Sequence, residues 1–166
     1  MSIIDQIFGK KKDGRYWRDQ GVDLAGQKKY REAVEAYKAS LEIEPDNANA
    51  FFNMGNSLRE LGRLPEALSS FEKAITIDSE NPEFWNNKAT CLFEMKRYDE
   101  ALQAFDTVLS IKPEHVFALN NKGTVLCKMG RFAEAVKCYN KSLQLSPGDK
   151  RIIAFRYKAN MKMKGD

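Results

Sequence analysis

Residues 82–115 read PEFWNNKATCLFEMKRYDEALQAFDTVLSIKPEH, and the same pattern recurs along most of the chain. The dipeptide Glu100-Ala101 lies 34 residues after Glu66-Ala67, and Glu32-Ala33 and Glu134-Ala135 extend the series at the same interval. Self-similarity at a fixed interval of about 20–50 residues is the signature of repeat proteins. The sequence therefore predicts four contiguous repeats, which span residues 14–47, 48–81, 82–115 and 116–149.

Each repeat has the residue spacing of two helices. Trp85, Ala89 and Leu92 fall at i, i+4 and i+7, which places them on one face of a helix. A second apolar stripe runs from Tyr98 to Leu109 at helical spacing, so each repeat is predicted to be a helical hairpin. Small residues recur on the first helix and aromatic residues on the second: Gly21, Gly55, Ala89 and Gly123, and Tyr37, Phe71, Phe105 and Tyr139.

The small residues are expected to bring the two helices of a hairpin close together. We expect Gly21 to face Ala33 of the second helix, and the same pair of positions to meet in the other repeats. The aromatic residues would then fill the space against the next repeat. Because one hairpin cannot bury such a face alone, the repeats are expected to stack into a continuous core.

Turns and helix ends are marked by glycine, proline and capping residues. Gly62 and Gly130 suit the left-handed conformation that closes a helix, whereas Lys28 and Lys96 must tolerate it or shift it. Proline is placed to stop the second helix at Pro45, Pro113 and Pro147. The residues ahead of each new helix are Asp13, Asn47, Asn81, His115 and Asp149, and all except His115 are good N-caps.

Two short segments flank the repeats. Residues 150–166 are predicted to form a capping helix with an apolar stripe of Ile152, Phe155, Ala159 and Met163. Residues 1–13 form a short amphipathic segment whose stripe of Ile3, Ile4, Ile7 and Phe8 is too short to be stable alone in water. This segment either covers the first repeat, inserts into another copy and gives self-association, or makes a weak membrane contact helped by the lysines at 10–12.

The chain resembles the tetratricopeptide repeat (TPR) family in its 34-residue period and in the residues Trp85, Leu92, Tyr98, Ala101, Phe105 and Pro113. The resemblance covers residues 14–149 and the capping helix. It implies an all-α solenoid, a right-handed superhelix of antiparallel helix pairs. Its concave face would be lined by the first helix of each pair and would hold a peptide or protein segment. It also implies that the protein is not an enzyme.

First-helix residues that do not pack within the hairpin are expected to line this groove. In the first two repeats they are Arg15, Arg18, Asp19, Val22, Asn49, Phe52, Asn53, Asn56 and Arg59. In the third and fourth they are Glu83, Asn86, Asn87, Thr90, Phe93, Phe117, Asn120, Asn121, Thr124 and Lys128.

Asparagine forms a column in this set, Asn53, Asn87 and Asn121, with Asn86 and Asn120 as neighbours. An amide side chain carries a donor and an acceptor, so a ladder of them can pair with the N–H and C=O groups of an extended peptide without reading its sequence. The resemblance implies this role, because an asparagine at the matching place does so in superhelical TPR proteins. The alternative is that asparagine is simply common in this column, with no ligand bound.

The other groove residues suggest a partner with apolar and acidic groups. Three phenylalanines either hold apolar side chains of the ligand or pack against the adjoining helix: Phe52, Phe93 and Phe117. Four cations would select acidic neighbours: Arg15, Arg18, Arg59 and Lys128.

One specific TPR function is not expected. Chaperone-binding TPR domains hold a C-terminal carboxylate with lysine and arginine side chains. The corresponding places here are Glu83 and Asn87, or Phe117 and Asn121 if the clamp begins one repeat later. None of these can neutralise a carboxylate, so a dicarboxylate clamp is disfavoured.

Composition and charge agree with a soluble binding protein. Of the 166 residues, 43% are apolar and 30% charged, with a net charge of +4. No run of 18 apolar residues and no secretory signal is seen, so a cytoplasmic location is expected. Residues 14–115 carry a net charge of −5 and residues 116–166 one of +8. The basic end could attract an acidic partner or membrane surface, whereas nucleic acid is disfavoured because no nucleic-acid motif accompanies the charge.

No motif indicates catalysis, a cofactor or a metal site. Cys91, Cys127 and Cys138 lack C-x-x-C spacing and are expected to be reduced, packed thiols. The single histidine, His115, lies between two repeats and is expected to end a helix rather than to act as a base. The sequence therefore predicts a scaffold that binds a protein or peptide, with a self-assembling structural module as the alternative.

Overall fold

The computed structural model describes residues 13–165, and within that range it contains nine helices and no strands. Their bounds are Gly14–Gly26 (α1), Tyr30–Ile43 (α2), Ala48–Glu60 (α3), Leu64–Ile77 (α4), Pro82–Glu94 (α5), Tyr98–Ile111 (α6), Val116–Lys128 (α7), Phe132–Leu145 (α8) and Lys150–Lys164 (α9). The predicted all-α fold class is confirmed. The division into four repeats stays a prediction, and the predicted stripe from Ile3 to Phe8 lies outside the described residues.

The chain divides into two compact units at Ser79 and Glu80. In the first unit, successive helices from α1 to α4 pack on each other, and α1 also contacts α3. In the second unit, successive helices from α5 to α9 pack in the same way, and α7 contacts both α5 and α9. The first helices of neighbouring hairpins are therefore adjacent within each unit.

Every first helix begins at a side-chain cap, and so does α9. The Asn47 side chain accepts a hydrogen bond from the Ala50 N–H, and Asp13, Asn81 and Asp149 cap their helices in the same way. His115 was expected to end a helix, and this expectation was wrong. Its Nδ1 accepts a hydrogen bond from the Ala118 N–H at 3.1 Å, so the imidazole begins α7.

The turn after each first helix has the same hydrogen bonds. After α1, the N–H of Lys29 donates to the Leu24 carbonyl and the N–H of Lys28 donates to the Ala25 carbonyl, both at 2.9 Å. This pair is the Schellman motif, which requires a left-handed residue after the helix. That residue has φ of 74° at Gly62 and 76° at Gly130, and of 61° at Lys28 and Lys96. The lysines therefore tolerate the left-handed conformation rather than shift the turn.

Replacing Lys28 by glycine is expected to raise the free energy of unfolding by about 1 kcal/mol, because a side chain in the left-handed region is strained. Urea unfolding followed by circular dichroism measures the change. The reverse substitution, Gly62→Lys, is the matched control. A Cβ at Gly62 meets no atom within 4 Å, so only backbone strain acts there and stability should fall by a similar amount. A loss of stability in Lys28→Gly would contradict the strain argument.

The small first-helix residues lie against the aromatic column of their own hairpin. A Cβ on Gly21 would lie 2.5 Å from Cε1 of Tyr37, and one on Gly55 would lie 2.7 Å from Cε1 of Phe71. The expectation that Gly21 faces Ala33 was therefore incomplete, because the nearest group to Gly21 is a ring. The four rings of the column are among the most buried side chains: Tyr37, Phe71, Phe105 and Tyr139.

The C-terminal helix buries only part of its predicted stripe. Ile152 and Ala159 are buried, whereas Phe155 and Met163 are exposed over 42% and 50% of their surface. The Phe155 ring still approaches the Tyr139 ring, with 6.2 Å between centroids. The helix α9 therefore covers the end of the second unit with one half of the predicted face.

Candidate peptide-binding surface

The predicted groove residues all lie on first helices, on α1 and α3 in the first unit and on α5 and α7 in the second. The exposed members are Arg15, Asp19, Val22, Asn49, Glu83, Phe117 and Lys128. The half-buried members are Arg18, Phe52, Asn53, Asn56, Arg59, Asn86, Asn87, Thr90, Phe93, Asn121 and Thr124. The remaining member is Asn120, which is buried.

The main asparagine column is half-buried along its length. Asn53 lies on α3 of the first unit, and Asn87 and Asn121 lie at corresponding places on α5 and α7, which contact each other in the second unit. The Nδ2 of Asn87 donates to the backbone carbonyl of Glu83 at 2.9 Å, one turn earlier in the same helix. This bond orients the Asn87 amide and occupies one of its donors.

The neighbouring asparagines contain buried oxygen atoms that no donor reaches. The Oδ1 atoms of Asn86 and Asn120 are buried without a hydrogen-bond partner, and so is that of Asn56 in the first unit. A buried polar atom left unpaired costs about 1–3 kcal/mol. The threonines one turn later do not supply the missing donor, because Thr90 and Thr124 donate to the backbone carbonyls of Asn86 and Asn120.

The three phenylalanines of the predicted groove differ in their surroundings. Phe52 contacts the Phe71 ring, with centroids 6.0 Å apart, and Phe93 contacts the Tyr98 ring at 5.8 Å. Phe52 and Phe93 therefore contact aromatic rings of the protein itself, as expected if these phenylalanines pack against an adjoining helix instead of holding a ligand. Phe117 is 68% exposed, so it is the phenylalanine with a ring face open to a ligand.

Two of the four predicted groove cations are engaged with adjacent carboxylates. Arg18 donates to Asp19 Oδ1 at 3.1 and 2.8 Å from Nε and Nη2. Arg59 lies 3.6 Å from Glu60. Arg15 and Lys128 are exposed. Attraction of an acidic ligand by Arg18 and Arg59 is weakened by these internal ion pairs.

A contact between Glu83 and His115 was not foreseen from the sequence. His115 Nε2 lies 3.1 Å from Glu83 Oε1, while Nδ1 accepts the capping hydrogen bond of α7. The ring is therefore the Nε2-protonated tautomer, which donates to the carboxylate. Glu83 and His115 lie 32 residues apart, which is close to the 34-residue period. This spacing could have predicted that both residues lie at the starts of neighbouring first helices.

The thiols near this surface are weak nucleophiles. Burial raises the pKa of the Cys127 thiol and that of Cys138, which keeps both protonated near neutral pH. Cys127 Sγ and Thr124 Oγ1 lie 3.8 and 3.4 Å from the Tyr139 hydroxyl.

In residues 13–165, no group of three histidine, cysteine or acidic side chains could hold a metal ion. Nor does any helix in this range have the length and hydropathy needed to cross a membrane.

Comparison with protein families decides which family this architecture represents. Three tetratricopeptide repeat profiles match residues 18–82, 58–122 and 116–149, and together they extend over residues 18–149. The chain belongs to the tetratricopeptide repeat family. Its TPR identity agrees with the paired helices and with the small and aromatic columns that pack them.

Several solved structures share the fold of this TPR chain at low sequence identity. MamA is 20% identical with a TM-score of 0.80, over 92% of this chain and 89% of that one. YrrB, described as a TPR protein with an unusual peptide-binding site, is 20% identical with a TM-score of 0.79, over 99% and 84%. The first TPR of Spaghetti (RPAP3), bound to the HSP90 peptide SRMEEVD, is 21% identical with a TM-score of 0.69, over 70% and 93%. Comparison with curated proteins gives no match.

Proposed function

We propose that this chain binds an extended peptide, or an extended segment of a partner protein, along the exposed faces of its first helices. Membership of the TPR family makes it a protein–protein interaction module, and TPR proteins are generally non-enzymatic scaffolds. The observation that carries the finer proposal is the repeated, half-buried amide, which is Asn53 in the first unit and Asn87 and Asn121 in the second.

The amide column suits recognition of a peptide backbone. Asn87 and Asn121 lie on helices that contact each other within the second unit. Successive peptide N–H and C=O groups can therefore meet successive amides, whose donors and acceptors are interchangeable by rotation. Such pairing supplies affinity that does not depend on the side chains of the peptide. Specificity must therefore come from the residues beside the amide column.

The structural neighbours support this proposal by analogy of fold. The description of YrrB names a peptide-binding site, and the Spaghetti TPR was solved with a bound peptide. The dicarboxylate clamp is not proposed for this chain, because Glu83, Asn87, Phe117 and Asn121 hold no cation at the clamp positions.

The triple substitution of Asn53, Asn87 and Asn121 by alanine is expected to reduce partner capture at least tenfold, because each lost amide removes hydrogen bonds to the ligand backbone. The measurement is a pull-down from source lysate, quantified by mass spectrometry against wild type. A matched control replaces two exposed second-helix amides, Gln103 and Gln144, by alanine and should capture as wild type does.

A self-assembling module is the second candidate, because α9 exposes apolar side chains to solvent. Ile153 is 41% exposed and Tyr157 63%. Light scattering against wild type gives the mass in solution of the double variant Ile153→Ser with Tyr157→Ser and of the chain without residues 1–12. If either change alters the oligomeric state while the triple asparagine variant still captures its partners, the amide column is not the binding site and assembly is the better function.

A further inference from the structure

Two corresponding rows of side chains lie side by side on the first helices of the second unit. On α5 the row is Glu83 and Asn86, and on α7 it is Phe117 and Asn120. The spacing of three residues puts the two members of a row on one helix face, and α5 contacts α7. We call these four residues the acceptor cluster.

The acceptor cluster has more hydrogen-bond acceptors than donors to fill them. The Oδ1 atoms of Asn86 and Asn120 are buried and unpaired, and Asn120 as a whole is 9% exposed. The neighbouring threonine hydroxyls are committed to backbone carbonyls on their own helices. Either amide can therefore turn towards a ligand without breaking a hydrogen bond to its side-chain oxygen.

The carboxylate of Glu83 adds a negative charge at the same end of the helices. It is 55% exposed, and one oxygen accepts a hydrogen bond from His115 Nε2 at 3.1 Å. Because Nδ1 of His115 accepts the capping bond of α7, the imidazole donates to Glu83 without carrying a positive charge. The imidazole thus positions the carboxylate and leaves its charge uncompensated.

Phe117 completes the cluster with an aromatic face. Its ring is 68% exposed and stands edge-on to the His115 ring, with 6.5 Å between centroids. A cation within about 6 Å of a ring centroid is attracted by the negative π face. Carboxylate, amide oxygens and an aromatic face together favour an ammonium or guanidinium group.

We propose that the acceptor cluster binds a lysine or arginine side chain of the partner peptide. The inference rests on the proposed peptide-binding function and specifies the ligand chemistry of one part of that surface. The carboxylate of Glu83 pairs with the cation, the Asn86 and Asn120 oxygens accept its remaining N–H groups, and Phe117 covers its aliphatic stem and charge.

The cations on α5 and α7, which are Lys88, Lys122 and Lys128, and Arg151 on α9 are paired or distant. Lys122 forms an ion pair with Asp106, and Lys88 lies over the Trp85 ring at 5.5 Å. On the adjacent helix α9, Arg151 lies 3.7 Å from Asp149. Lys128 is exposed at the far end of α7, about 16 Å along the axis from Phe117.

The cluster is particular to the second unit. The positions on α1 that correspond to Glu83 and Asn86 are Arg15 and Arg18, which would repel a cation. Recognition of a basic residue therefore depends on the four residues of the acceptor cluster and does not follow from the repeat architecture.

The test is a titration of the full ¹⁵N-labelled chain with two peptides, acetyl-Gly-Gly-Arg-Gly-Gly-amide and the same peptide with citrulline, an uncharged isostere of arginine. The arginine peptide is expected to shift the side-chain amide signals of Asn86 and Asn120, with affinity at least tenfold above that of the citrulline peptide. Glu83→Gln should weaken binding of the arginine peptide about tenfold, since the ion pair between carboxylate and guanidinium is replaced by a hydrogen bond from the guanidinium to a neutral amide oxygen.

The control substitution is Glu94→Gln, which removes an exposed glutamate at the other end of α5 and should leave the affinity unchanged. Glutamine at position 83 retains an oxygen for His115, so the fold should persist, as thermal melting would verify. Three results would each overturn the inference: no shift at saturating arginine peptide, equal binding of the citrulline peptide, or equal effects of the two glutamine variants. If partner capture still depends on Asn53, Asn87 and Asn121 while Glu83→Gln has no effect, the proposed function stands and this inference fails.

Discussion

Replacing Phe105 by alanine is expected to lower the free energy of unfolding by about 3–5 kcal/mol, as truncation of a fully buried phenylalanine usually does. Phe105 lies in α6 with none of its surface exposed. Truncation removes its apolar contacts and leaves a cavity between helices that the neighbouring hairpins cannot fill without moving. Urea unfolding followed by helical circular dichroism measures the loss.

Phe117→Ala is the matched control for Phe105→Ala, because both phenylalanines belong to the second unit. Phe117 is 68% exposed, so its truncation should change stability by no more than about 0.5 kcal/mol. Equal losses in the two variants would mean that the aromatic column is not the core. Phe117→Ala also removes the aromatic face of the acceptor cluster, so it separates stability from binding.

Replacing Gly21 by alanine is expected to lower the free energy of unfolding by about 1–3 kcal/mol, the range found for overpacked cores. The added Cβ would lie 2.5 Å from Cε1 of Tyr37 and 2.7 Å from Cδ1. The Tyr37 ring is itself 1% exposed, so a shift of the ring would press on the close-packed side chains around it. This clash outweighs the gain of about 1 kcal/mol that alanine normally brings to a helix.

Gly26→Ala tests the same substitution at the end of the same helix. A Cβ at Gly26 meets no atom within 4 Å, so this variant should keep or slightly increase stability. The double variant Gly21→Ala with Tyr37→Leu should lose less than the sum of the two single changes, because the smaller side chain leaves room for the Cβ. Additive losses would show that the ring is not what Gly21 accommodates.

The helical organisation was predictable because it depends on local chemistry repeated four times. The stripes of the paired helices follow from spacing of 3.6 residues per turn, and the helix starts at Asn47 and Asn81 follow from side-chain capping. His115 was misjudged because imidazole is an uncommon cap. Its buried position beside Glu83 involves a residue of the preceding hairpin, which propensity does not describe.

The candidate site was predictable in location but not in chemistry. The columns place Phe52, Phe93 and Phe117 on first helices, yet two of them contact aromatic rings and one is open to solvent. Asn86 and Asn120 occupy the same column, but only Asn120 is buried. Side-chain exposure depends on what the adjacent helix presents at that point, and the repeat period carries no such information.

Sequence alone was sufficient for the family, the helix order and the faces that pack, since each is repeated at 34-residue intervals and determined by neighbours close in the chain. The tertiary structure was needed to show that Gly21 meets the ring of Tyr37 and that the side-chain oxygens of Asn56, Asn86 and Asn120 are buried without a donor. These features arise from contacts between helices, where the side chains of both surfaces decide which atoms meet. The acceptor cluster, and with it the expected preference for a basic residue, belongs to this second group.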